Sequence, residues 1–166
     1  MAHEELSFEL PITVISQVDL GRMLREVESL DGFLLQAAAR TGGEKVTAPK
    51  TSRMLEETAE TNKLNLLDSA NRDQLKKTLE EIHDHAPVAH ISFASDPQAA
   101  FLHKIITWFR KEVHPLLLLQ IGLQPSIAAG CILRTENKMF DFSLRRHLND
   151  NRNALADKIK TGVGNG

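Results

Sequence analysis

The sequence predicts an α+β protein with a helical amino-terminal half that has one leading strand, followed by a small β-α-β-β-α domain. Two observations indicate this class. Up to Pro87, apolar residues mainly recur at the three- and four-residue spacing of amphipathic helices, whereas beyond it short apolar runs bounded by turn residues flank one long helical pattern. We therefore place a domain boundary at Pro87, between residues 1–87 and a second domain of residues 88–160.

The first region is predicted to contain an edge strand and three helices. Apolar residues occupy every second position from Leu6 to Val14, and Pro11 favours a sheet edge because it cannot donate a backbone hydrogen bond. The third helix has a narrow apolar stripe, so we expect it on the outside of a bundle or against a partner. Candidate N-caps of the three helices are Asp19, Thr51 or Ser52, and Asp68 or Ser69.

The second domain is predicted to begin with a strand over residues 88–93. Asp96 and Pro97 then form a cap-and-proline start for a helix with a broad apolar face, and Pro115 follows its end. A strand over residues 116–123 comes next, so the chain should pass from strand to helix and back to strand.

One more strand, over residues 127–135, and a last helix complete the predicted domain. The helix begins near residues 141–143, and its narrow apolar stripe contains Leu144 and Leu148. The glycine-rich residues 161–166 are expected to form a disordered tail.

Composition excludes several classes of function. The formal charge of −2 divides into 10 Lys/Arg against 16 Asp/Glu up to Pro87, and 10 against 6 beyond it. The excess is small and aromatic residues are few, which argues against a nucleic-acid binder. The longest apolar run, around residues 116–123, is far short of the roughly 20 residues that cross a bilayer, so any membrane connection must come through partners. The single cysteine, Cys131, suits a cytoplasmic protein.

Histidine is the main candidate for chemistry, because His83, His85 and His90 lie within eight positions. Residues two apart on a helix do not face each other, and neither an HExxH nor a CxxC motif is present. We therefore favour surface histidines over a metal-dependent hydrolase, which stays a third hypothesis. Nucleophile-elbow and phosphate-loop motifs are also absent from the sequence, so no catalytic residue, cofactor or metal ligand is assigned.

A group of arginines follows the start of the last helix, at Arg145, Arg146 and Arg152. An anion site and a solvated helix face can both explain it. We favour the solvated face, with its charges paired to acidic residues of another subunit.

The stretch from Gly122 to Leu148 carries a recognisable motif. It begins with a proline, an apolar residue and a small-residue pair that ends in glycine, and these precede a strand that ends in a basic residue. A turn with a lysine follows, and then an apolar pair and the pattern Asp-x-Ser-apolar-Arg. This order resembles the carboxy-terminal domain of the delta (oligomycin-sensitivity-conferring) subunit of F-type ATP synthases. The matching residues are Pro125, Gly130, Arg134, Lys138, Asp141, Ser143 and Arg145. Gly130 would allow a close backbone approach or a bulge, and Arg145 can reach a carboxylate at the hairpin. Asp141 or Ser143 can cap the last helix.

The resemblance implies a non-catalytic peripheral-stalk subunit that links the catalytic head, through its alpha subunit, to the b subunits. Such a protein would be cytoplasmic and attached to the inner membrane through its partners. The family's amino-terminal region looks like a six-helix bundle, which residues 1–87 do not match, so no head-binding residue is carried over. The alternative is a free-standing regulatory or scaffold domain of the same fold. Candidate partner-binding residues are Trp108, Phe109, Leu144 and Leu148.

Overall fold

The computed structural model describes residues 8–41, 49–135 and 138–152, and the α+β class is confirmed. The leading residues up to Ser7 and the expected tail lie outside these ranges. The elements in chain order are α1 (Gln17–Thr41), α2 (Arg53–Thr61), α3 (Ser69–His85), β1 (Val88–Phe93), α4 (Ala99–Glu112), β2 (Leu118–Leu123), a 3-10 turn (Pro125–Ile127), β3 (Cys131–Arg134), β4 (Met139–Asp141) and α5 (Leu144–Asp150).

Two compact units divide the chain. The first comprises the described residues up to Pro87 together with Leu102–Leu118, and the second comprises Val88–Phe101 and the described residues from Leu119 onward. Pro87 is thus a boundary, but most of α4 groups with the helices that precede it. Among the described residues, no helix is long and apolar enough to cross a membrane.

The first three helices begin at local capping signals. Ser52 and Asp68 are the N-caps of α2 and α3, and their side chains accept the Leu55 and Ala70 N–H groups at 3.3 and 3.2 Å. Ser16 and Asp19 form a reciprocal capping box at the start of α1. Asp19 was expected to be the cap itself, but it lies inside the first turn and its carboxylate reaches back to the Ser16 N–H.

The core of the first unit lies along α1, α2 and α3. Arg72 adds a partly buried ion pair, because its buried guanidinium lies 2.6 Å from the more exposed Asp31 of α1 while it also donates to the Leu66 carbonyl. Leu35, expected in the inward stripe of α1, is instead 74% exposed, because a period of 3.6 residues continues the stripe through Ala37. The buried apolar residues of the three helices are Leu20, Met23, Val27, Leu30, Ala37, Leu55, Ala59, Leu75, Leu79 and Ile82.

The leading strand predicted from Leu6 to Val14 is not formed by residues 8–14, and Leu6 lies outside the described residues. The Val14 N–H donates to the Pro11 carbonyl at 3.0 Å, which makes a turn in place of an extended strand. Leu10 and Val14 are nevertheless buried. The alternating pattern therefore marked burial at Leu10 and Val14 but not at Ile12, which is 44% exposed, and the backbone satisfies its hydrogen bonds in another way.

Arg110 of α4 donates several of the hydrogen bonds that this amino-terminal segment accepts. Its guanidinium donates to the carbonyls of Leu10 and Pro11 at 3.0 Å, of Val14 at 2.5 Å, and of Leu117 at 3.3 Å. Burial lowers the pKa of Arg110 to about 10, which still leaves it charged at neutral pH. One cation thus fixes the amino-terminal segment to α4 and to the residue that precedes β2.

The second unit contains a four-stranded sheet in the order β2-β1-β3-β4. Both β1 with β3 and β3 with β4 are antiparallel. At the other edge β1 and β2 run parallel. The Pro87 carbonyl accepts from the Leu118 N–H, and the Phe93 carbonyl accepts from the Gln124 N–H. Since parallel strands need a crossover, α4 is the element that connects them.

Three features of this unit differ from the sequence prediction. The first turn of α4 closes with Phe101 donating to Gln98, so Asp96 and Pro97 precede the helix and do not cap it. The predicted strand over residues 127–135 is shortened to β3, because the 3-10 turn and the positive φ of Ala128 (67°) interrupt extended backbone. A short additional strand, β4, follows β3.

Replacing Arg110 with leucine should lower the free energy of unfolding by about 2 to 3 kcal/mol, because several carbonyls lose their donor. Arg110→Lys should lose part of this, since lysine keeps the charge without the planar fork. Urea denaturation followed by circular dichroism measures the change. Lys111→Leu is the matched control because its side chain is 80% exposed; an equal loss in both variants would contradict the role of Arg110.

Candidate partner-binding surface

Gly130 fixes the backbone at the start of β3. Its φ of +91° lies in the left-handed region, and a Cβ built there would lie 2.3 Å from the Phe142 carbonyl oxygen. Two hydrogen bonds of 2.9 Å keep these two backbone segments close together. The Phe142 N–H donates to the Cys131 carbonyl, and the Leu144 N–H donates to the Ala129 carbonyl. The close backbone approach that the sequence suggested for Gly130 is therefore present.

Asp141 and Ser143 turn the chain from β4 into α5. The Ser143 N–H donates to Asp141 Oδ1 at 2.9 Å, and Ser143 Oγ accepts the Arg146 N–H at 3.2 Å, which caps the helix. Hydrogen bonds from the Ser143 side chain and backbone lower the pKa of Asp141, with smaller contributions from Arg146 and Arg145. Both residues thus contribute to the helix start expected from the sequence.

The strand register places two phenylalanines on the apolar face of the sheet. Phe140 pairs with Leu133, which in turn pairs with Ile91 of β1. Phe142 follows two positions later on the same side, and its ring stacks on that of Phe140 with centroids 6.3 Å apart and planes 10° apart. The two rings therefore extend an apolar face that begins in the interior of this unit.

Exposure rises steadily along that face. Ile91 is 3% exposed and Leu133 is half-buried, whereas Phe140 is 41% and Phe142 63% exposed. Leu144, the first residue of α5, is 46% exposed and continues the row. We call the row Phe140, Phe142 and Leu144 the β4–α5 surface.

An open groove of about 470 Å³ lies along this surface. Backbone and small side chains form one part of it and Arg146 contributes a positive charge. Its lining residues are Ala129, Gly130, Asp141, Phe142, Ser143, Leu144 and Arg146.

The remaining motif residues surround the same region. Pro125 opens the 3-10 turn, and Arg134 is exposed at the end of β3. Lys138 is exposed, and its carbonyl accepts the Thr135 N–H at 2.8 Å. Arg145 is exposed and helps to lower the pKa of Asp141, which agrees with the expectation that it acts on a carboxylate at the hairpin.

The candidate partner-binding residues differ in how far their side chains are exposed to solvent. Trp108 is 56% exposed, but Phe109, in edge-to-face contact with it at 5.0 Å, is only 6% exposed. Consecutive helical residues point about 100° apart, so the helix that presents one ring buries the other, and Phe109 is wrong as a surface residue. Leu144 is available at the surface, whereas the side chain of Leu148 lies outside the described residues.

The histidines each have local neighbours. His83 Nδ1 lies 2.9 Å from Asp84 Oδ1, and His85 Nδ1 lies 3.2 Å from the Glu81 carbonyl. Within the described ranges, no group of three or more His, Cys, Asp or Glu side chains is placed to hold a metal ion.

Comparison of the sequence with protein-family models and with curated proteins found no match. Phe140 and Phe142 were not singled out from the sequence, although the Phe-Asp-Phe alternation after a turn was the signal of a short strand with one apolar face.

Gly130→Ala should destabilise the protein by about 2 kcal/mol or more, because the methyl group would meet backbone that cannot move aside. Gly32→Ala is the opposite control, since it lies in α1 and a Cβ there meets nothing within 4 Å. That variant should gain about 0.5 to 1 kcal/mol from helix propensity. Thermal unfolding of the two variants measures both effects, and a stable Gly130→Ala protein would exclude the close contact.

The pKa of the Asp141 carboxyl, measured by NMR, should lie below its ordinary value of 3.8. The folded pKa is depressed, so this group stabilises the fold above its unfolded pKa and loses that contribution as pH falls through the folded value. Ser143→Ala should raise the pKa more than Arg145→Gln does, because the hydrogen bond from the Ser143 side chain is the largest cause, although the backbone N–H at this position is kept. The reverse order would refute this account of the turn.

Proposed function

We propose that the chain is a non-catalytic connector, and specifically a delta-like subunit of the peripheral stalk of an F-type ATP synthase. In this role it joins the alpha subunit of the catalytic head to the b subunits. The observation that carries the proposal is the β4–α5 surface, where three apolar side chains stay exposed although they continue a buried face. Such a surface is typical of a protein that binds another polypeptide.

The motif residues support the same proposal. Gly130, Asp141 and Ser143 shape the backbone that carries the exposed row. A stalk subunit needs this combination of a rigid body and an open apolar surface, because it transmits force without chemistry. The chain would lie in the cytoplasm, bound to the membrane only through its partners, with no role in nucleic-acid binding.

A free-standing scaffold or regulatory domain is the second candidate. The first unit favours it, since the described residues up to Pro87 form only α1, α2 and α3, where the family's amino-terminal region resembles a six-helix bundle. In that case the β4–α5 surface would serve a partner outside the ATP synthase.

Affinity purification of the tagged full-length chain from its native cells separates the two candidates. A stalk subunit should co-isolate with the b and alpha subunits, identified by mass spectrometry. Phe142→Ser should reduce recovery of the b subunit several-fold, because it removes the most exposed ring of the surface.

Phe33→Ser is the matched control, since Phe33 is an exposed aromatic residue of α1 to which no binding role is assigned. Isolation of the wild-type chain as a monomer without ATP synthase subunits would reject the stalk role and favour the free-standing domain.

A further inference from the structure

We propose that the β4–α5 surface binds a single amphipathic helix of a partner protein, with acidic residues beside the apolar stripe of that helix. This assignment rests on the proposed connector role, because it names the kind of segment that a partner must supply. It does not require that the partner belong to an ATP synthase.

Among the described residues of its own unit, the surface stays open to solvent. Phe142 is 63% exposed and Leu144 46%, while Ile91 and Phe93 on the same face are 3% and 5% exposed. One apolar face thus passes from the interior to solvent without a polar boundary. Exposed apolar patches that continue a core are a mark of interaction sites, and their burial supplies most of the affinity.

The shape of the surface suits a helix better than a strand. The Phe140 and Phe142 rings stack with centroids 6.3 Å apart, so they form one continuous apolar strip on which the apolar side chains of a helix face can pack. The open groove beside Phe142 and Leu144 can accept such side chains. By contrast, β4 has three residues at the sheet edge, so an added strand would form few backbone hydrogen bonds.

The charges around the surface select an acidic partner. Arg146 lines the groove, Arg145 is exposed next to it, and Lys138 is exposed immediately before β4. The carboxylate of Asp141 already accepts a hydrogen bond from Ser143 and is close enough to both arginines for them to lower its pKa. Acidic side chains that flank an apolar stripe would therefore meet cations, whereas basic ones would be repelled.

A pair of synthetic helical peptides of about 20 residues tests the proposal. Both carry leucines at helical spacing; one has glutamates beside the stripe and the other has lysines at the same positions. Fluorescence anisotropy with the full-length protein should give saturable binding of the glutamate peptide at micromolar concentrations, at least about tenfold tighter than the lysine peptide. Binding should weaken as salt is added.

Variants locate the binding site. Phe142→Ser should weaken binding of the glutamate peptide about tenfold or more, and Phe140→Ser should act in the same direction. Phe33→Ser should leave it unchanged, because Phe33 lies on α1. Arg145→Gln should weaken it, whereas Lys104→Gln on α4 should not. Circular dichroism of each variant shows that it is folded, and the comparison of the two peptides on the wild-type protein needs no variant.

Several results would overturn the proposal: no saturable binding up to about 1 mM, equal affinity for the two peptides, or an equal effect of Phe33→Ser. Self-association of the wild-type chain that Phe142→Ser abolishes, without peptide binding, would assign the surface to a second copy. Failure of co-isolation with ATP synthase subunits, combined with selective peptide binding, would reject the stalk role alone. Co-isolation without peptide binding would reject only this inference.

Discussion

The second unit depends on one close backbone contact, between Gly130 and the Phe142 carbonyl. No side chain fits at Gly130, so the chain can return past β3 only where glycine stands. That contact sets the path through Ser143, and Ser143 then caps α5. The exposure of Phe140 and Leu144 follows from this path. The apolar surface is therefore positioned by a residue that has no side chain to contribute to it.

A charge plays the corresponding part in the first unit. Beside Lys111, Arg110 looks from the sequence like one more solvated base near a helix end. In the structure its planar fork of donors satisfies the carbonyls of Leu10, Pro11 and Val14. Among the described residues, no strand pairs with this segment, so these hydrogen bonds take the place of strand pairing. Carbonyl dipoles offset the cost of burying the cation without a carboxylate partner. The amino-terminal segment consequently buries Leu10 and Val14 without being a strand.

Part of the candidate site could be predicted from the sequence motif. Spacing and residue type were enough to give Gly130 a backbone role and to place a cap at Asp141 or Ser143, because both depend on residues within a few positions. The β4–α5 surface was harder to predict. Only pairing with β3 turned residues 139–141 into a strand and aligned Phe140 with the apolar face, and pairing depends on residues distant in sequence.

The sequence by itself determined the α+β class, the break at Pro87, helix starts within residues 51–52 and 68–69, and the strand from Val88 to Phe93. Each of these follows from short-range periodicity or from hydrogen bonds within one turn. Tertiary structure decided which apolar residues are covered, because burial depends on neighbours that local pattern does not specify. It buried Phe109, left Phe142 in solvent, and so defined the surface to which the proposed function is assigned.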